Sequence, residues 1–131
     1  MSGLRGGVLV AIVGIAIAGC HGPVDVPTLG VGPLRADDPT LFDDTLTAVR
    51  AAGHPPVRSD PEHGRFTVRA TSDPGRATLF VIQCSRDGFV TVTPSGGNVT
   101  REGETYVVSR ELRTEWADLV MAIERSVPET R

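Results

Sequence analysis

Apolar positions along this chain form two helical stripes separated by a long stretch in which they alternate. Leu41, Phe42, Thr45, Leu46, Val49 and Ala52 recur at spacings of three and four, while Asp43, Asp44, Thr47 and Arg50 fall elsewhere. Asp38-Pro39 supplies a start, with Asp38 able to cap and Pro39 at a position where its missing N–H costs nothing. Gly53 suits the C-terminal cap, and Pro55-Pro56 forbids continuation. A second stripe, Leu112, Trp116, Leu119, Val120, Ile123 and Val127, predicts a helix opening near Ser109 and stopped by Pro128. Arg110, Glu111, Arg113, Glu115, Asp118, Glu124 and Arg125 are expected on its wet face.

Between the helices the period drops to two. Val57 to Ser59 reads as a short extended piece, followed by turn chemistry in Asp60-Pro61-Glu62-His63-Gly64. Phe66, Val68 and Ala70 alternate with Arg65, Thr67 and Arg69, and Ser72-Asp73-Pro74-Gly75 turns the chain. Ala77 to Cys84 is the most apolar stretch after the amino-terminal region and predicts a central strand. Asp87-Gly88 is a hairpin signal into Phe89 to Thr93, and Glu102-Gly103 turns the chain into Thr105 to Val108. The order predicts an α+β two-layer sandwich: a four- to five-stranded antiparallel sheet with an N-terminal and a C-terminal helix on one face, α-β-β-β-β-α. The opposite sheet face would carry Arg65, Thr67, Arg69, Thr91 and Thr93, the candidate partner surface.

The amino-terminal region has a different character. Arg5 precedes an uncharged apolar run from Val8 to Ala18, which ends in Ile17-Ala18-Gly19-Cys20. The run is about half of the roughly 20 residues that a spanning helix needs. A charged start, a short apolar stretch and small residues before a cut describe a cleavable signal peptide over residues 1–19. Ile17-Ala18-Gly19-Cys20 resembles the lipobox of bacterial lipoproteins. The resemblance implies diacylglyceryl transfer to the Cys20 thiol, with Ile17, Ala18 and Gly19 read by the signal peptidase that cuts before it. His21 follows the cysteine where an aspartate would retain some relatives in the inner membrane, so the resemblance implies an outer-membrane anchor facing the periplasm. Residues 20–38, broken by Gly22-Pro23, Val26-Pro27 and Gly32-Pro33, read as the lipidated cysteine and a flexible tether, leaving residues 39–131 as one α+β domain.

Charge and cysteine usage narrow the function. The 131-residue chain has a formal net charge of -3, and its basic residues are all arginine. No clustered positive run supports phosphate-dominated binding, so nucleic acid is not an expected partner. Of two cysteines, lipidation consumes Cys20 and leaves Cys84 without an intramolecular partner. Cys84 follows Phe80 and Ile82 at alternate spacing, which makes it an apolar strand residue; the functional reading is a reactive thiol or an intermolecular disulfide, and with Cys20 unmodified a disulfide between the two is a further alternative.

Candidate chemistry is sparse. His54, Asp60 and His63 match no metal-ligand spacing and read as exposed loop residues, so no metal or cofactor is expected. Ser95-Gly96-Gly97-Asn98 lacks the Lys-Ser/Thr of a phosphate loop. Ser72, Ser85, Ser95 and Ser109 lack a nucleophile elbow, and Asp43-Asp44 reads as a solvated face near a helix start. The helix ending at Ala51-Ala52-Gly53-His54, followed by Ser59-Asp60-Pro61-Glu62-His63-Gly64-Arg65-Phe66, is loosely similar in element order to small envelope-lipoprotein domains of the BamC type. No functional residue carries over from that similarity. The expectation is a lipid-anchored, non-enzymatic module of the cell envelope, with the membrane and another envelope protein as partners. The alternative is a small hydrolase or thiol enzyme assembled only in three dimensions, for instance from Cys84 with His54 or His63.

Overall fold

The computed structural model describes residues 23–72, 77–97 and 99–127. The lipobox residues Ile17, Ala18, Gly19 and Cys20 lie outside the described residues. So do Asp73, Pro74 and Gly75 of the expected turn, Asn98, and the stop at Pro128. Among the described residues the fold is α+β, with two helices and two antiparallel sheets.

Helix α1 (Thr40–Ala51) begins as its sequence predicts. Pro39 already has helical dihedrals, and Asp38 Oδ1 accepts from the Thr40 backbone N–H at 2.8 Å and from its hydroxyl at 2.6 Å. At the other end, Gly53 N–H donates to Arg50 O at 3.0 Å and His54 N–H to Val49 O at 3.1 Å. This paired closure requires a left-handed residue, and Gly53 supplies it with φ 96°. Helix α2 (Arg110–Ser126) is capped by Ser109, whose hydroxyl accepts from Leu112 N–H at 3.1 Å.

The five-stranded sheet has the order β2 (Leu29–Val31), β6 (Val90–Ser95), β5 (Leu79–Cys84), β4 (Arg65–Arg69) and β3 (Pro56–Asp60). The three-stranded sheet has the order β1 (Val24–Pro27), β8 (Thr105–Val108) and β7 (Thr100–Glu102). Two expectations are corrected here. There are two sheets rather than one, and residues 24–31, expected within the tether, form β1 and β2. The chain changes partner at Thr28, pairing with β8 before it and with β6 after it. The prolines do not prevent this, because Pro23 and Pro33 flank the pairing and Pro27 ends β1. Val26 and Val31 are 5% and 7% exposed, which fixes the segment to the core. Two strands therefore precede α1, and the element order is not α-β-β-β-β-α.

Alternation sorts the five-stranded sheet. Phe66, Val68, Phe80, Ile82, Val90 and Val92 are at most 1% exposed and share one core with Leu41, Val49, Leu112, Trp116, Leu119 and Ile123 of the helices. Phe42 meets Phe66 edge-on with ring centroids 5.6 Å apart. Trp116 meets Tyr106 edge-on at 5.5 Å and donates its indole N–H to Val92 O at 2.7 Å, which ties α2 to both sheets. Ala52, placed on the α1 stripe by its spacing, is exposed, and Ala48 is buried instead.

Candidate functional site

Glu115 is the most heavily bonded side chain described, and it is not on the wet face of α2. It is 9% exposed and sits three residues after Leu112 and four before Leu119, at the border of the apolar stripe. Its Oε2 accepts from Thr71 N–H at 2.7 Å, the Thr71 hydroxyl at 2.9 Å and His54 Nε2–H at 2.7 Å. Its Oε1 accepts from Ser72 N–H at 2.8 Å and from the Ser72 hydroxyl. Burial pushes the carboxyl up, but the donors on Ser72, Thr71 and His54 outweigh it and hold it down at about 2. His54 is therefore not an exposed loop residue: its side chain is 11% exposed, delivered to Glu115 by the glycine closure of α1. The arrangement fastens the end of β4 and the end of α1 to α2, with both carboxylate oxygens accepting from protein donors.

A second buried charge closes the start of α1. Arg35, 6% exposed and within the segment expected to be a tether, pairs its Nη2 with Asp44 Oδ2, while its Nε lies 3.5 Å from Asp38 Oδ2. Asp44 is thus an ion-pair partner and not a free member of a solvated face.

Beside this pair lies a cleft of about 580 Å³ whose lining includes Asp38, Phe42, His63, Cys84, Ser85 and Arg86. It brings Cys84 and His63 to one opening and leaves His54 elsewhere. His63 Nδ1 lies 2.8 Å from Asp60 Oδ2, and that hydrogen bond is the main reason the Asp60 carboxyl is held below its ordinary range. Gly64 leaves room at the junction, because a Cβ there would stand 2.6 Å from Cys84 O in a backbone with φ 65°. Burial raises the Cys84 thiol above its ordinary value. This is the opposite of the depressed value that a nucleophilic thiolate needs. Cys84 falls on the same face as Phe80 and Ile82 and is half-buried.

The open face of the five-stranded sheet collects the other sequence-derived candidates. Cross-strand pairing runs Asp60–Arg65–Gln83–Thr91 in one row and Arg58–Thr67–Val81–Thr93 in the next, with Arg69 opposite Leu79 beyond. Arg58, Arg65 and Arg69 are exposed, while Thr67, Thr91 and Thr93 are half-buried. A cavity of about 340 Å³ opens at the far end of this face, with Val81 and Thr93 among its lining and Val99 and Arg101 contributed from the β7 side. Arg101 is held there by donating Nε–H to Gly103 O at 2.7 Å and by stacking 5.6 Å above the Tyr106 ring. Arg58, Val81 and Arg101 were not among the sequence candidates. Period-two alternation would have found Val81, but Arg101 reaches this face only because a second sheet exists.

Among the described residues, no three His, Cys, Asp or Glu side chains converge as a metal site, and no helix is long and apolar enough to cross a membrane. No family model, curated protein or solved structure matches the chain.

Proposed function

We propose that this chain is a lipid-anchored lipoprotein of the bacterial cell envelope, held at the outer membrane through Cys20, whose folded part is a non-enzymatic protein-binding or envelope-support module. The lipobox-like Ile17-Ala18-Gly19-Cys20 supports the location. The observation that carries the binding role is the open sheet face, where exposed arginines border a half-buried floor of threonine and valine. A half-buried centre with a charged, solvent-accessible rim is an arrangement that protein interfaces use. The edge strand β3 supports contact through the face rather than strand addition, since it begins at Pro56 and its register shifts between Pro56 and Arg58.

Two measurements test this. An alkyne palmitate analogue labels the wild type and spares Cys20→Ala; equal labelling of both removes the anchor. A photo-cross-linking amino acid at Thr67, expressed in the host, yields an adduct of defined mass, while the same probe at Arg113 on the outside of α2 does not.

The shared cleft of Cys84 and His63 favours one second reading, a small thiol enzyme. The raised thiol opposes it, and rapid reaction of native Cys84 with a disulfide reagent is the result that would restore it.

A further inference from the structure

We infer that the open face takes an extended, acidic segment of a partner protein, laid across the strands from Arg101 to Arg58. This deepens the proposal that the face is a partner surface and rests on it. The row Thr93–Val81–Thr67–Arg58 crosses three inter-strand spacings, about 14 Å, which an extended chain covers in four to five residues at about 3.3 Å each. Its floor is hydroxyl and valine, half-buried and suited to small or β-branched side chains. Cationic groups stand at both ends: Arg101 where the cavity opens, Arg58 at the sheet edge, with Arg65 and Arg69 alongside Arg58 on β4. Among the described residues the one carboxylate paired with these arginines is Asp60, 3.9 Å from Arg65.

The charge on this face contrasts with the whole chain, whose net charge is -3. A local positive face on an acidic body selects for orientation as well as for sign. Guanidinium groups recognise carboxylates bidentately, and Arg101 arrives pre-positioned by Gly103 and Tyr106, which reduces the ordering cost of binding. An anionic bilayer would meet the same charges, but a flat surface leaves the 340 Å³ cavity over Val81 and Thr93 unfilled, whereas a side chain of a peptide enters it.

The test uses the full-length chain in neutral detergent and a fluorescent peptide with Asp-Glu at both ends of a Thr/Val centre, beside a Lys-ended counterpart. The acidic peptide binds, and the Lys-ended one does so at least about tenfold more weakly. Arg58→Glu with Arg101→Glu lowers affinity for the acidic peptide by about tenfold or more, while Arg113→Glu changes it less than about twofold. Circular dichroism of each variant verifies its fold, and Arg58→Gln with Arg101→Gln, which adds no repulsion, gives a smaller loss in the same direction.

Equal binding of the two peptides, or indifference to the arginine reversals, overturns the inference. So does binding to phosphatidylglycerol vesicles, but not to zwitterionic ones or to the acidic peptide. A Thr67 adduct in cells without acidic-peptide binding rejects the acidic occupant and keeps the partner surface; absence of both rejects the surface itself.

Discussion

Glu115 and His54 stand 61 residues apart in sequence and 2.7 Å apart in the fold, joined by a hydrogen bond between Oε2 and Nε2. The same carboxylate holds Thr71 and Ser72, so one side chain of α2 fixes the end of α1 and the exit of β4. Truncating it strands several part-buried donors at once. Glu115→Ala is expected to lower the unfolding free energy by about 3 kcal/mol, and Glu115→Gln, which keeps one acceptor, by about 1–2 kcal/mol. Urea denaturation reads both; a loss under about 0.5 kcal/mol for the alanine variant refutes the clamp.

The same site makes stability acid-dependent. Glu115 falls from an ordinary 4.5 to about 2 in the fold, so its carboxylate form is favoured by folding. That contribution is fully present above pH 4.5, declines as pH falls below it, and is gone below about 2. The shift corresponds to roughly 3 kcal/mol. Unfolding free energies measured from pH 6 to pH 2 should fall more steeply for the wild type than for Glu115→Gln, and parallel curves contradict the assignment.

Trp116 is the chain's one tryptophan and is fully buried. Its emission is expected to be blue-shifted in the native protein and to move to the red on unfolding. Trp116→Phe removes the bond to Val92 O and part of the packing against Tyr106, at a cost of about 2 kcal/mol in chemical denaturation.

Cys84 should react slowly with a thiol reagent in the native state and rapidly in denaturant, because burial disfavours its thiolate. Native and denatured rates within about threefold of each other would contradict this.

A chain shortened to begin at Asp38 should fold poorly, whereas one beginning at His21 should keep the native circular dichroism. The shorter form loses β1, β2 and the buried side chains of Val26 and Val31, which contribute about 3–6 kcal/mol together. Equal melting temperatures for the two forms would return residues 24–31 to the status of a tether.

Much of this architecture is legible in the sequence wherever the signal is local. Asp38-Pro39 and Gly53 bound α1, Asp87-Gly88 turns β5 into β6, and the period of two places Arg65, Thr67, Arg69, Thr91 and Thr93 on one face. What stayed hidden depends on distant partners. Glu115 and Asp44 read as solvated charges, yet each lies three residues after one buried side chain and four before another, at a stripe edge where a partner can reach it. Thr71, Ser72 and Arg35 are those partners, and nothing next to them in sequence announces it. The strands β1 and β2 are short and flanked by proline, and the switch at Thr28 from one sheet to the other is a property of pairing with β8 and β6, not of the residues themselves.

Under the proposed anchor at Cys20, the entry of Val24 into β1 would set how far the body can stray from a bilayer. With attachment at Cys20, only the few residues before Val24 are left as slack, and fully stretched they reach about 14 Å. If Cys20 carries the proposed lipid, so short a mooring would give the domain a constrained stance near the lipid headgroups. Under that proposal a partner would have to come to the membrane surface, for the domain would have no leash on which to search away from it.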